Sequence, residues 1–237
     1  MKLLGIIPAR IGSKRIPNKN IKILNGKPLI AWTVIEALKS RYISELVVST
    51  DSYKILEISE NYGIKSDGLL RDEKYAQDQS STVDTIIYEI DKRNIIRKGF
   101  THVMILQPTS PFRTHSDIDN AVELLIKKSA QSIISVSECQ HPPQWSNQID
   151  NSLSMNKFYK SLDSNRNSQS YEKSYNINGA IYLIDIEALL SKKAFILKNK
   201  SFAYVMNKDR SFDIDDSFDW LQAESYMNFL KHTRYKH

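Results

Sequence analysis

Short apolar runs alternate along this chain with stretches in which apolar residues recur every three or four positions, the pattern of a parallel sheet covered by helices on both faces. The runs Leu3 to Pro8, Glu45 to Ser49, Thr101 to Gln107, Gln131 to Val136, Ala180 to Ile184 and Phe202 to Val205 read as strands. Between them, Pro28 to Leu38 sets Leu29, Ile30, Thr33, Val34, Ala37 and Leu38 on one helical face, with Pro28 expected in the first turn. Ile118, Ala121, Val122, Leu125 and Ile126 repeat the pattern after Thr114, a candidate helix cap, and a further helix is expected from about Ser217 to Leu230. The region 141–177 breaks the alternation. It is polar, rich in Asn and Ser, weakly periodic and far longer than an ordinary connection of about 6 residues. Its aromatics, Trp145, Phe158, Tyr159, Tyr171 and Tyr175, give it surface to bury, as expected of a lid or an arm to a second subunit.

A length of 237 residues with 41% apolar content suffices for one large α/β domain over 1–237, with 141–177 as an insert inside it. No apolar run approaches the ~20 residues of a membrane span. The apolar start Met1 to Ile7 is interrupted at once by Pro8 and Arg10, so it reads as a first strand rather than a signal segment, and the protein is expected in the cytoplasm, away from membranes. The single cysteine, Cys139, excludes an intrachain disulfide and a multi-cysteine metal site, and reads as a packed or idle thiol.

Charge changes the picture at one place. The formal net charge is +6, yet the seven Lys or Arg up to Lys27 are accompanied by no Asp or Glu, and the rest of the chain is close to neutral. The surplus sits in the loop after the first strand, where Gly12 would allow close backbone approach, Ser13 offers a hydroxyl and an amide, and Arg10, Lys14, Arg15 and Lys19 supply charge. That is a phosphate-binding composition, although it matches neither the P-loop nor the dinucleotide glycine fingerprint, and a solvated basic loop is the alternative.

Near the other end, Asp213-Ile214-Asp215-Asp216 precedes a helical pattern. On an extended backbone Asp213 and Asp215 point the same way, a grip for one hard divalent cation such as Mg²⁺, whereas Asp215 or Asp216 could instead cap the helix. A third segment, Leu106-Gln107-Pro108-Thr109-Ser110-Pro111-Phe112-Arg113, ends a strand with polar groups at the sheet edge where α/β ligands sit. Gln107 would present an amide to a substrate and Arg113 a planar cation, unless the segment is only a stiff turn. No pairing of the five histidines suggests zinc, and no Ser-His-Asp arrangement suggests acyl transfer.

Taken together these segments resemble the CMP-sialic acid synthetase family of cytidylyltransferases. The resemblance is carried by Pro8-Ala9-Arg10-Ile11-Gly12-Ser13-Lys14-Arg15-Ile16-Pro17-Asn18-Lys19-Asn20, Val48-Ser49-Thr50-Asp51, the 106–113 segment, Asn178-Gly179-Ala180-Ile181-Tyr182 and Asp213-Ile214-Asp215, in that order and over nearly the whole chain. It implies a Rossmann-like, mostly parallel α/β fold whose insert reaches a second subunit of a homodimer. It also implies transfer of a cytidylyl group from CTP to the anomeric hydroxyl of a nine-carbon sialic-type acid, with Mg²⁺ and release of pyrophosphate. By similarity Arg10, Ser13, Lys14 and Lys19 would hold the CTP phosphates, Arg10 and Lys19 contributing to catalysis. Asn20 and Arg71, with Ser81 or Thr82, would line the cytidine pocket, and Gln107, Tyr175 and Asn178 would face the sugar. Asp213 and Asp215 would ligate Mg²⁺, and one of them, or a water held by the ion, would help deprotonate the sugar hydroxyl.

Two positions depart from the pattern of relatives that use N-acetylneuraminate. A Lys and an Arg that face the sugar carboxylate there are replaced by Gln144 and Asn176. The stretch His141-Pro142-Pro143-Gln144-Trp145-Ser146-Asn147 looks more like relatives that activate legionaminic acid, so a bacterial nonulosonate of that kind is favoured. The rivals are an eight-carbon Kdo cytidylyltransferase, a sugar-nucleotide-dependent glycosyltransferase and, prompted by a pI of 9.2, a nucleic-acid-binding protein. Confinement of the positive charge to one loop argues against nucleic acid as a partner.

Overall fold

In the first strand, β1 (Leu3–Pro8), alternation sends Leu3 and Ile7 into one core cluster and Leu4 and Ile6 into another, so an uninterrupted apolar run is what a strand covered on both faces requires. The computed structural model describes residues 1–77, 79–161 and 171–234, with the side chains of residues 159–161 and 234 left aside. Of the expected 141–177 insert, residues 162–170 and the Tyr159 side chain thus lie outside the described residues.

After β1 come a short hairpin, β2 (Ile23–Leu24) and β3 (Lys27–Pro28), and α1 (Leu29–Leu38). Pro28 is the N-cap of α1 rather than a residue of its first turn. β4 (Ile43–Ser49), α2 (Tyr53–Asn61), α3 (Thr82–Lys92) and β5 (His102–Leu106) follow. Next are α4 (His115–Lys128), β6 (Ser132–Glu138), α5 (Asn156–Ser161), β7 (Tyr175–Asp185), α6 (Ile186–Lys192), β8 (Ser201–Val205) and α7 (Ser217–Arg234). Thr114 caps α4 as expected, in a reciprocal capping box with Asp117.

The six-stranded sheet runs β4-β1-β5-β7-β6-β8. β1 pairs in parallel with β4 and β5, and β6 with β8, whereas β7 is antiparallel to both β5 and β6. The sheet is therefore mixed and mostly parallel, with β7 the one reversed strand among those described. β7 is also longer than the 180–184 run and starts at Tyr175, inside the expected insert. α1, α2 and α4 cover one face, and α3 and α6 the other. α7 builds a third cluster, in which Trp220, Ala223 and Met227 pack on Ile16, Leu24, Leu29, Phe112 and Ile214. That cluster seats the C-terminal acidic segment beside the N-terminal basic loop. Among the described residues no helix is long and apolar enough to cross a membrane.

Candidate active site

β1 lies between β4 and β5, and the carboxyl ends of all three open on one edge of the sheet, the place where ligands sit in open α/β sheets. A cavity of about 250 Å³ lies there, and Arg10, Ser13, Lys19, Asn20, Arg71, Thr82 and Gln107 all line it. The basic loop is pinned in place by its neighbours. Ile11 N–H donates to Asp51 Oδ1 at 2.9 Å, Asn20 Nδ2 to the Arg10 carbonyl at 2.8 Å, and Ala9 N–H to the Ser49 carbonyl at 2.9 Å. A Cβ added at Gly12 would meet nothing within 4 Å, so the room this glycine leaves is open to a ligand or to solvent.

Arg71 is buried at the α3 side of the cavity. Its Nη1 donates to the Tyr75 carbonyl at 3.1 Å and its Nη2 to the Ser49 carbonyl, while its Nε is buried with no protein partner. Burial, reinforced by the nearby Arg10 and Arg93, lowers its pKa to about 10 against the opposing pull of Asp51. Arg71 stays charged at neutral pH all the same, and this end of the cavity presents donors to whatever enters.

Asp213 and Asp215 do not line this cavity but lie beside the basic loop, where Asp215 meets Arg15 and Lys19. Ile214 between them is fully buried, donates its N–H to the Thr109 carbonyl at 2.9 Å and accepts Lys19 Nζ on its own carbonyl at 2.7 Å. With Ile214 turned inward, alternation leaves the flanking carboxylates turned away from the core. Asp215 meets Arg15 at 2.9 Å and Lys19 at 3.8 Å. Burial raises the Asp213 carboxyl pKa, with Asp215 adding to the effect, and burial lowers that of the Lys19 ammonium although both acids pull the other way. Asp216 is the helix cap. Its Oδ1 accepts the N–H groups of Phe218 at 2.8 Å and Asp219 at 3.0 Å, and Asp219 Oδ2 accepts those of Asp215 and Asp216 in return. Capping thus does not use Asp213 and Asp215, and two carboxylates beside a basic loop are a donor set that fits Mg²⁺, which takes one or two carboxylates and fills its shell with phosphate and water oxygens.

Other expected positions are placed differently. Arg113 is fully buried, not offered to a substrate: its guanidinium donates to the carbonyls of Gln107 at 3.1 Å and Ala180 at 2.8 Å and to Thr33 Oγ1 at 2.8 Å. Asn178 is buried too. Its Oδ1 accepts from Ser135 Oγ and Ala180 N–H, and its Nδ2 donates to Ser211 Oγ at 3.1 Å, so the amide is consumed inside the protein rather than facing a sugar. Ser81 does not line the cavity, since its hydroxyl accepts Asp84 N–H as the N-cap of α3. Tyr175 lies exposed at the start of β7, opposite Glu138, and Lys14 is exposed on the loop; neither lines the cavity.

Tyr75, Gln77, Ser80, Thr85 and Thr109 line the cavity without having been singled out in the sequence. Most come from the irregular 71–80 segment, where polarity alone does not separate a cavity wall from a solvated loop. The available signal was the cap and amphipathic run of α3, which fixes where that segment must end.

The cytidylyltransferase family model matches residues 4–230 of the chain. The chain belongs to the cytidylyltransferase family. This cytidylyltransferase is 37% identical over 229 residues to the CMP-N,N'-diacetyllegionaminic acid synthase of Legionella pneumophila, covering 96% of this chain and 97% of that protein. It is 32% identical over 219 residues to the pseudaminic acid cytidylyltransferase of Campylobacter jejuni serotype O:23/36, covering 92% and 93% of the two chains. In fold it is similar to a solved CMP:2-keto-3-deoxy-manno-octonic acid synthetase complexed with CTP, with a TM-score of 0.71 at 15% identity and coverage of 96% and 99%.

Proposed function

We propose that this cytidylyltransferase moves a cytidylyl group from CTP to the anomeric hydroxyl of a nine-carbon sialic-type acid, releasing pyrophosphate. What carries the reading is the cavity at the β1, β4 and β5 ends. Its wall holds Arg10, Ser13 and Lys19, suited to phosphates, and Asn20, Arg71 and Thr82, suited to a nucleoside. The sugar hydroxyl oxygen forms a bond to the α-phosphorus of CTP, and the bond from that phosphorus to the departing pyrophosphate breaks. The hydroxyl proton goes to the carboxylate pair, Asp213 and Asp215. Arg10 and Lys19 offset the charge that builds on the phosphate oxygens. Asp213 and Asp215 would hold Mg²⁺, which when bound supplies further charge neutralisation at the triphosphate. Gln107, at the cavity's edge, meets the sugar.

A legionaminic-type acid is the favoured acceptor. The His141 to Asn147 stretch points there, and the relative of that activity is 37% identical against 32% for the pseudaminic one. Asn176 Oδ1 accepts from Ser137 Oγ at 3.2 Å, and its neutral amide does not supply the charge that an Arg would bring to a sugar carboxylate. The enzyme acts as a cytoplasmic homodimer in which the 141–177 insert reaches the neighbouring subunit. The test is pyrophosphate release from CTP and Mg²⁺ with a panel of nonulosonic acids. Fastest release with the legionaminic-type acid is expected; no release with any member, or a preference for the eight-carbon Kdo, overturns the reading.

A further inference from the structure

On the α3 side of the cavity, buried polar side chains form one connected chain that ends at Arg71. Glu89 is fully buried, and its two carboxylate oxygens have different partners: Ser49 Oγ donates to Oε1 and Arg93 Nη1 to Oε2. Arg93, also buried, reaches back to the segment that leads to Arg71, meeting Asp67 Oδ2 at 2.9 Å and the Leu69 carbonyl at 3.2 Å. Ser49 completes the circuit. Its carbonyl accepts Arg71 Nη2, and the N–H of Arg71 donates to the carbonyl of the next residue, Thr50, at 2.6 Å. The 67–71 segment is therefore gripped at its start by Arg93 and at its end by the Ser49 carbonyl, and Glu89 holds both residues, Arg93 by its guanidinium and Ser49 by its hydroxyl.

A wholly buried ion pair contributes little net stability over apolar residues of the same volume, because desolvation cancels the attraction. Glu89 and Arg93 are better explained by what they hold. The guanidinium they support has Nη1 fixed on Tyr75 and Nη2 on Ser49, and it lines the cavity from a single orientation. We propose that Glu89 is a positioning residue that, through Ser49 and Arg93, fixes the Arg71 guanidinium against the base of the bound nucleotide and so sets the preference among nucleoside triphosphates. The inference rests on the reading of this cavity as the CTP site. A base contact is remote from the reacting phosphorus and strengthens substrate and transition state alike, so its loss should appear in KM for the nucleotide and not in kcat.

The experiment compares Glu89→Gln and Ser49→Ala with the wild type in steady-state kinetics with CTP and UTP, and in calorimetric titration of each nucleotide. Ser49→Ala cuts the link between Glu89 and the residue whose carbonyl anchors Arg71 while leaving the Glu89–Arg93 pair intact, so it decides the matter if Glu89→Gln fails to fold. The expected result is a rise of about tenfold in KM and Kd for CTP, a reduced CTP-to-UTP preference, and kcat and sugar KM within about twofold of wild type. A folded Ser49→Ala with wild-type KM and wild-type CTP-to-UTP preference overturns the positioning role alone. A wild type that binds no CTP overturns the functional reading beneath it.

Discussion

Within residues 213–216, three acids diverge because the backbone alternates and then turns into α7. Asp213 and Asp215 flank the buried Ile214 and turn away from the core, whereas Asp216 accepts two N–H groups of the first helical turn. Asp213→Asn and Asp215→Asn should each lower turnover at least roughly a hundredfold, raise the Mg²⁺ requirement and shift melting by only a few degrees. Asp216→Ala should instead cost about 0.5–2 kcal/mol of stability and leave kcat unchanged. A Mg²⁺ titration of pyrophosphate release, with melting curves of the three variants, separates the two roles; wild-type metal dependence in the first two would move the metal elsewhere. Arginines divide the same way. Arg10→Ala should lose roughly a hundredfold in turnover with its fold intact, while Arg113→Ala should destabilise by about 3 kcal/mol, because it leaves the Gln107 and Ala180 carbonyls and the Thr33 hydroxyl without their donor. Calorimetric melting beside turnover of the two checks this, and a stable, inactive Arg113→Ala would return that residue to the site. Before the family resemblance is weighed, the sequence offers both arginines on the same terms, each after a strand and near a proline. What separates them is tertiary: Arg113 is folded under β7 to serve a carbonyl 67 positions away, and no local pattern announces that.

At the scale of elements, the strands and helices with unbroken periodicity were legible, and those that owe their form to a partner were not. β7 was legible only from Ala180 onward, because Tyr175-Asn176-Ile177-Asn178-Gly179 lacks strand composition. The register between β6 and β7 shifts between Ile134 and Val136, and Ser135 Oγ takes the Ile181 N–H at 2.7 Å, so a side chain repairs the ladder. Gly179 belongs to this irregularity. It has φ +74°, and a Cβ there would stand 3.1 Å from Gln107 Oε1, which strains any other residue. The link between α4 and the segment before Asp213 was equally hidden. Buried Asp117 accepts from Arg210 Nε at 3.0 Å, Thr114 N–H at 3.0 Å and Tyr204 Oη at 3.1 Å. Hydrogen bonds from Arg210 and Thr114 hold its carboxyl pKa below the usual value, overcoming the opposing effect of burial. A carboxyl whose folded pKa is depressed stabilises the fold above its unfolded pKa of about 3.8, and that stabilisation disappears as pH falls through the lower folded value. Asp117→Asn should therefore cost about 3 kcal/mol at pH 7, with the gap to wild type closing below roughly pH 4. Melting temperature against pH for both proteins measures this, and a gap that stays constant down to pH 3 would remove Asp117 from acid sensitivity.

At the scale of the whole molecule, the basic loop and the acidic segment are nearly 200 positions apart in sequence, and α7 brings them together by packing on Ile16, Leu24 and Leu29. The sequence named both ends of the site, but composition alone could not say that they touch; the family pattern supplied that expectation, and Lys19 Nζ on the Ile214 carbonyl is the contact. Among the described residues, the outer part of the sheet leaves apolar surface uncovered. Ile177, Val136 and Val205 stand in one row across β7, β6 and β8, with Ile177 and Val205 exposed, and Tyr175 is exposed two residues before Ile177 on the same face. The described part of the insert adds Ile149, Leu153 and Met155, whose exposures are 54%, 75% and 57%. Single exposed apolar residues need no explanation, but a set drawn from one insert and the strand ends beside it is what the proposed dimer would bury, and an obligate homodimer typically buries 2,000 Å² or more in total. The expected species is accordingly a dimer of the 27.4 kDa chain in sedimentation at assay concentration. Replacing Ile149 and Leu153 together by Asp should shift it to monomer, since two desolvated charges oppose association, while the monomer fold stays intact because neither side chain belongs to the core. If the insert completes the neighbour's sugar pocket, the monomer should show a KM for the sugar raised tenfold or more and a CTP affinity within about twofold of wild type. Full activity in that monomer would make the apolar face a surface without a role in the reaction, and a wild type that sediments as a monomer would remove the dimer altogether.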